Sequence, residues 1–471
     1  MWRDSMVKRL FRRKFLGHII EELDIEQHRL NRSLNAFDLT IMGIGAIIGV
    51  GIFVLTGAAA AKYAGPGVVL SFIISGAACA FSGLCYAELA SSIPVAGSAY
   101  NYAYSTMGEM VAWIIGWDLI LEYIVACIAV AIGWSGYFVN IMAAIGIQIP
   151  AWCSAAPGTI PGAVINLPAI FIVLFLTVIL VIGIKESARF TSVMVFIKVL
   201  TVLIFILVGI SHVKPANWHP FMPFGLKGVI AGAAIVFFAY IGFDAVSTAA
   251  EETRNPQRSM PIGILLSLGI CTFLYIIVAA ILTGMVSYKE LNTPAPVAHA
   301  LTLVGFRWGS AIVSAGAVAG ITSVLLVMLM GQPRIFFSMS RDGLLWPWIS
   351  KVHPRFRTPY IAQIFTGIVV AGFAAFIDIG TAAELCNIGT LFAFAIVCGG
   401  VVVLRKTHPE LRRSFRCPLV PLIPLLGVIS CVWLMLSLPQ ITWIRFIVWL
   451  MVGLTIYFYY GIKHSRLAVK K

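Results

Sequence analysis

The chain has 471 residues, of which 60% are hydrophobic and 11% charged; soluble domains carry roughly 25% charged residues, so the composition excludes an ordinary soluble domain and describes a polytopic membrane protein. The formal net charge of +14 does not mark a nucleic-acid binder, because most of the 33 Lys and Arg fall in loops that share one face, among them Arg12, Arg13 and Lys14 near the start and Arg405, Lys406, Arg412, Arg413 and Arg416 further on. That asymmetry is the positive-inside pattern, which sets orientation, with attraction to anionic lipid as a secondary consequence.

In chain order, residues 1–37 read as a cytoplasmic N-terminal segment: charged and amphipathic, without the short apolar run and cleavage site of a secretory signal. Apolar runs of about 18–28 residues follow, each long enough to cross ~30 Å of hydrocarbon. They predict helices over 38–61, 67–92, 105–140, 163–184, 188–211, 225–252, 261–286, 308–340, 359–377, 381–404, 418–438 and 441–462. Twelve spans put both termini in the cytoplasm, with 463–471 as the C-terminal tail, and make the expected location the plasma membrane. The segments 93–104 (Pro94, Gly97, Ser98, Tyr100) and 341–358 (Asp342, Gly343, Pro347, Pro354) are the main inner connections. The nine cysteines form no disulfide framework; Cys153 alone falls in an outer loop, and most of the others read as small core residues of apolar spans.

Two of these spans carry a glycine-rich interruption: Gly43-Ile44-Gly45-Ala46-Ile47-Ile48-Gly49-Val50-Gly51-Ile52-Phe53 in the first and Phe237-Phe238-Ala239-Tyr240-Ile241-Gly242-Phe243-Asp244 in the sixth. Backbone that leaves the helix inside hydrocarbon exposes N–H and C=O groups at several kcal/mol each, and persists only where it lines a cavity. Paired breaks in corresponding positions of two halves point to a transporter's substrate site. They divide the chain into helices 1–5 (38–211) and helices 6–10 (225–404). An odd number of helices per unit forces the second to insert upside down. The expected fold is therefore all-α, a 5+5 inverted repeat of the LeuT type with broken helices 1 and 6, plus two extra C-terminal helices over 418–462.

The first break suits an anion. The half-helix after it offers free N–H groups and its dipole at Gly49, Val50 and Gly51, where a carboxylate would sit beside Ile47. Glycine-mediated helix packing is the plain alternative. The second break, around Phe238, Ala239 and Ile241, frees carbonyls that attract an ammonium; together they would read the backbone of an α-amino acid, with Phe238 as a gate over it. The same glycines imitate a dinucleotide-binding motif, but no βαβ context surrounds them.

Four charged residues sit at membrane depth. Lys198 lies nine residues past Arg189, roughly 13 Å along the helix, and an intramembrane lysine is a functional candidate by default. Three carboxylates are similarly placed, Asp118 and Glu122, four residues apart on one helix face, and Asp244, just after the second break; of these Glu122 and Asp244 are candidates for moving a proton. Permanent pairing for Lys198 and Glu122, and helix capping for Asp244, are the structural alternatives. The inner segment 251–261, with Glu251, Glu252, Arg254 and Arg258, is placed to pair with Arg341 or Asp342 as an inner gate, or to be a solvated loop. No HExxH, G-x-S-x-G or Walker phosphate loop occurs, so no enzyme is expected.

On these residues, together with Glu251-Glu252, Asn255-Pro256, Pro333-Arg334 and Met339-Ser340-Arg341-Asp342-Gly343-Leu344-Leu345, the chain resembles the amino acid–polyamine–organocation superfamily, and within it bacterial relatives of the cationic amino acid transporters. The resemblance covers nearly the whole chain. It implies a LeuT-type fold, amino acid transport, proton coupling through Lys198, Asp244 and Glu122, and no cofactor. Lys198 would stand where sodium-coupled members hold their ion, so no sodium is expected. Helix 8 near Met328 would border the substrate side chain. Val50 departs from the Thr or Ser that relatives often carry, leaving backbone N–H groups to hold the carboxylate. Because Ile321–Met328 is largely apolar and an unpaired buried cation is costly, the expected substrate is a free neutral L-amino acid. The alternatives are a basic amino acid or polyamine carrier or exchanger, and a membrane sensor that binds an amino acid without moving it. A monomer in lipid is expected, with room for an accessory small membrane subunit and no nucleic-acid partner.

Overall fold

A computed structural model of the chain describes residues 12, 34–93, 98–182, 188–356, 358–411 and 413–469. Apart from Arg12, the predicted segment 1–37 is therefore described only from Leu34; Pro94, Gly97, Arg412 and the last two residues of the C-terminal tail also lie outside.

The regular elements of the described chain are all helices, with two isolated bridges, Leu34 with Thr253 and Ser154 with Asn166, and no strand among the described residues. Its main helices are α1 (Ala36–Ile47), α2 (Val68–Ser92), α3 (Glu109–Ala144), α4 (Leu167–Ile182), α5 (Ala188–Ile210), α6 (Gly225–Val236), α7 (Pro256–Met285), α8 (Arg307–Arg341), α9 (Tyr360–Ala374), α10 (Ile379–Thr407), α11 (Leu422–Leu436) and α12 (Gln440–Ile456). Among the described residues, eight helical stretches are long and apolar enough to cross a membrane, and four shorter apolar helices accompany them.

Local chemistry explains the ends. Asn35 accepts from the Phe37 and Asp38 N–H groups while the Asp38 carboxylate accepts from the Asn35 N–H, a reciprocal cap that starts α1. The predicted third helix (105–140) is two elements: a short helix Ser98–Thr106, then α3, separated at Gly108 whose φ of 107° only glycine adopts readily. The seventh starts at Pro256 instead of Pro261; proline suits the first helical position, and Pro261 is accommodated inside the helix.

α3 and the interrupted α6 are the most enclosed segments, whereas α5 and α12 turn much of their surface outward. α2 is bonded to α6 by Ser71 and Ser75, whose hydroxyls donate to the Val229 and Ala233 carbonyls (both 2.7 Å), and by Tyr240, which donates to Phe72 (2.8 Å). α3 is bonded to α8 through Trp134 Nε1 to Thr322 and Asn140 to Ser314, both 2.8 Å. Where α2 and α10 end, the buried Glu88 carboxylate accepts from Arg405 Nε (2.9 Å) and Nη2 (2.7 Å) and from the Cys417 N–H (2.7 Å), with Arg413 Nε at 3.5 Å. All nine cysteines, Cys153 included, are free thiols and buried.

Candidate functional site

The two interruptions meet. α1 ends at Ile48, whose backbone is extended (φ −72°, ψ 107°), and helical structure resumes over Gly51–Ala64 in wide turns around the α-helical Thr56–Ala59. α6 tightens at Phe237–Tyr240, breaks at Ile241 (φ −60°, ψ 133°) and Gly242 (φ 121°), and continues in narrow turns over Asp244–Glu252. A side chain on Gly51 would strike the Ala239 backbone, and one on Gly242 would lie 2.8 Å from the Ala46 carbonyl oxygen. These are backbone-to-backbone contacts that glycine alone permits.

Part of the exposed backbone is satisfied by side chains. Tyr275 on α7 reaches both breaks, its hydroxyl lying 2.8 Å from the Ile47 carbonyl and 2.9 Å from that of Ala239. Asn387 on α10 donates to the Ala234 (2.7 Å) and Ile235 (3.1 Å) carbonyls that end the first half of α6. Lys198 on α5, wholly buried, donates through Nζ to the Gly45 carbonyl at 2.5 Å; Gly320 on α8 leaves space for its stem, since a side chain there would sit 2.7 Å from Lys198 Cγ. None of these partners was legible as such in the sequence except Lys198. The available signal was the polar side chain isolated mid-span, which Tyr275 and Asn387 both are.

A small cavity of about 20 Å³ lies between the breaks, lined by Ala46, Ile47, Gly49, Val50, Gly51, Phe238, Ile241 and Met328 with Ala126, Val130 and Val324. It is room for about one water. Of the residues expected to hold substrate, Ile47, Gly49, Val50, Gly51, Phe238, Ile241 and Met328 are all brought to this cavity. Ala239 is not: it packs behind Gly51 with its carbonyl on Tyr275. Among the described residues, the lining contains no charged or polar side chain. Its hydrogen-bonding capacity is backbone alone, from the N–H groups that start the half-helix at Gly49–Gly51 and carbonyls of both breaks. Sequence reasoning missed α3's Ala126 and Val130, since nothing distinguishes them within a long apolar helix.

The carboxylates lie elsewhere. Asp118 and Glu122 are buried where α3 meets α10: a side chain on Gly389 would approach Asp118 Oδ1 to 2.7 Å, and Glu122 reaches Thr390. Neither oxygen of Asp118 has a hydrogen-bond partner among the described residues. The Asp244 carboxyl lies against the backbone of its own turn, Gly242 to Ala245, but Phe243 occupies the N-cap position and no side chain caps that turn. At the inner connections, Asp342 accepts from Tyr100 (2.8 Å), and Leu34 pairs with the strand-like end of the α6 region, its N–H on Glu252 and its carbonyl on Arg254 (both 3.0 Å). The Glu251 side chain lies outside the described residues. Among the described residues, no three His, Cys, Asp or Glu are grouped to hold a metal ion.

Comparison with known proteins fits this arrangement. The sequence pattern of the family described as "Amino acid permease" matches residues 34–457. The chain is 53% identical over 458 residues to a methylthioribose transporter of Bacillus subtilis (strain 168), covering 97% of this chain and 99% of that protein. It is 50% identical over 461 residues to the branched-chain amino acid permease BcaP of the same strain, again covering 97% and 99%. It is 39% identical over 391 residues to a vacuolar cationic amino acid transporter 4 of Arabidopsis thaliana, covering 81% of this chain and 65% of that one. An extended match of this kind, on a helical bundle with two apposed backbone breaks, means that the chain belongs to the amino acid permease family of the amino acid–polyamine–organocation superfamily and is a multi-pass membrane transporter rather than an enzyme.

Proposed function

We propose that this transporter is a proton-coupled symporter of neutral L-amino acids, working by alternating access in the plasma membrane with both termini cytoplasmic. In this reading the chain has twelve spans and the LeuT-type 5+5 inverted repeat, and acts without sodium or cofactor. The observation that carries it is the cavity lining. A site between two backbone breaks that presents no polar side chain favours a ligand with charged groups at one end only and an aliphatic remainder. The carboxylate would take the N–H groups of Gly49, Val50 and Gly51, and the ammonium the remaining carbonyl lone pairs near Phe238 and Ile241. Val130, Val324 and Met328 would then surround a small or branched side chain. Arginine or a polyamine would bury a second cation against these residues without a partner, at a cost that selects against it.

Coupling rests on Lys198. Its ammonium bonds to the carbonyl two residues before Ile47, so gain or loss of its proton changes how the first break is held. Glu122 and Asp244 are the carboxylates proposed to exchange that proton with the aqueous phases.

The 53% relative named for methylthioribose supports a second reading, a neutral methylthio sugar. Its hydroxyls would find backbone groups only, which is why the amino acid is preferred. Purified protein in proteoliposomes with an inward proton gradient tests both: concentrative uptake of leucine and alanine is expected, insensitive to methylthioribose. Arginine uptake that leucine and alanine do not compete would overturn the substrate assignment. For coupling, Lys198→Ala is expected to abolish gradient-driven accumulation while substrate counterflow persists; full concentrative uptake in that variant would sink it.

A further inference from the structure

The first turns of α7 and the chain between α10 and α11 enclose a groove on the outer surface of the bundle, of about 800 Å³, lined by Gln257, Arg258, Pro261, Ile262, Leu265, Leu266, Ser414 and Phe415. Its two ends differ in chemistry. One is polar: Arg258 and Gln257 are exposed, and Ser414 donates to Gln257 Oε1 at 2.9 Å. The other is apolar, and it opens onto a stripe of α7 in which Ile262, Leu266 and Phe273 are 40%, 50% and 65% exposed, with nothing within 4 Å of where a side chain on Gly269 would lie. Positions 258, 262, 266, 269 and 273 recur at helical spacing and share one face. Among the described residues that line the groove, Arg258 is the one guanidinium, standing at the head of this apolar stripe, and none is a carboxylate.

The opposite wall is held in place. Glu88 grips the Cys417 N–H, two residues past Phe415, and Arg405. Arg413 donates to the carbonyls of Leu411 (2.9 Å) and His408 (2.7 Å) and faces Glu88, so its charge is committed inward. Arg258 is left facing the groove, with Arg416 exposed on the adjoining loop.

We propose that this groove binds one anionic phospholipid of the leaflet at the basic end, its phosphate on Arg258, Gln257 and Ser414 and its acyl chain along Ile262, Leu266 and Phe273. A zwitterionic lipid carries its own ammonium beside the phosphate and gains less from the guanidinium.

Native mass spectrometry of the delipidated full-length protein, offered phosphatidylglycerol or phosphatidylcholine with identical chains, tests this. One phosphatidylglycerol is expected to be retained in preference. Arg258→Ala is expected to reduce that preference about fivefold, the effect of one arginine at an anionic surface, whereas Arg355→Ala, an exposed arginine remote in sequence, leaves it unchanged. Leu265→Trp, which fills the apolar end, is expected to lower retention of both lipids, and glycerol 3-phosphate alone not to displace the lipid. Equal behaviour of Arg258→Ala and Arg355→Ala in variants that melt like the parent would overturn the proposal. Displacement by glycerol 3-phosphate would overturn the assignment to a lipid in favour of a soluble phosphate. None of these outcomes depends on which substrate is transported.

Discussion

Gly49 offers the sharpest test of the cavity as the substrate site. Alanine there would place its Cβ 3.2 Å from Val324 Cγ2 and 3.7 Å from Cγ1, so Val324, on a different helix and bordering the cavity, would have to give by a few tenths of an ångström. Overpacking of that degree costs about 1 kcal/mol, the low end of the usual range, so Gly49→Ala is expected to fold. Binding should suffer far more. The cavity is about 20 Å³, and the added methyl stands where the proposed substrate would approach the Gly49–Gly51 N–H groups; disturbing the proposed carboxylate contacts is expected to weaken leucine binding by ~1.4–2.8 kcal/mol, or roughly 10- to 100-fold. Val324→Ala removes both methyls that the new Cβ meets, so the double variant is expected to recover about 1 kcal/mol of coupling energy in a double-mutant cycle. Equilibrium binding of radiolabelled leucine to detergent-purified protein, with melting temperature as the folding control, measures each corner of the cycle. Leucine affinity of Gly49→Ala within about twofold of the parent, or strict additivity of the two substitutions, would refute the placement of substrate at this cavity.

Two further perturbations test the frame around it. Tyr275→Phe withdraws the hydroxyl from the Ile47 and Ala239 carbonyls and leaves buried acceptors short of a donor, at about 1–3 kcal/mol; lower melting and reduced uptake are expected together, and a variant indistinguishable from the parent in both would show that the breaks do not rely on it. Glu88→Gln removes the charge that faces Arg405 and Arg413; Glu88 is buried but Arg405 is part-exposed, so the expected cost is below the ~3–5 kcal/mol of a fully buried pair; a fall in melting temperature that Glu88→Asp only partly repairs is expected, and an unchanged melt would contradict the pairing.

Much of this site could be read from the sequence because the physics that exposes it is local. Glycines at 45, 49, 51 and 242 interrupt apolar runs that lipid would otherwise keep helical, and seven of the eight residues named for substrate on that basis reach one cavity. Lys198 stood out because a cation at that depth needs a reason, and its bond to Gly45 lies beside the first break. What stayed hidden depends on tertiary pairing. Ala126 and Val130 are ordinary apolar residues until α3 is placed against the breaks. Tyr275 and Asn387 acquire meaning only when the carbonyls they reach are known. Helix ends followed the same division: Gly108 split a run that composition alone made continuous, because a left-handed residue is invisible to hydrophobicity.

The distribution of hydrogen bonds says where movement is cheap. The first and sixth helices are joined through glycine contacts and Tyr275, and α2 is bonded to α6 through Ser71, Ser75 and Tyr240, so the two breaks form one unit with α2 and α7. α3 and α8 form another, bonded through Trp134 and Asn140. Across the cavity the two units meet through Val50, Val130, Val324 and Met328, apolar contacts that slide without breaking a polar bond. Among the described residues, two short polar ties flank the cavity: Tyr137 on α3 donates to the Phe53 carbonyl at 2.7 Å beyond the first break, and Lys198 on the neighbouring α5 donates to Gly45 before it. A neutral hydrogen bond contributes about 0.5–1.5 kcal/mol and one to a charged group about 1.5–3, so each tie is of the size that a substrate or a proton can offset. Opening past Phe53 costs a neutral bond that substrate contacts can replace. Opening past Gly45 costs a charged one, whose strength changes with the protonation of Lys198, and the proposed coupling of proton to substrate therefore acts on that second opening.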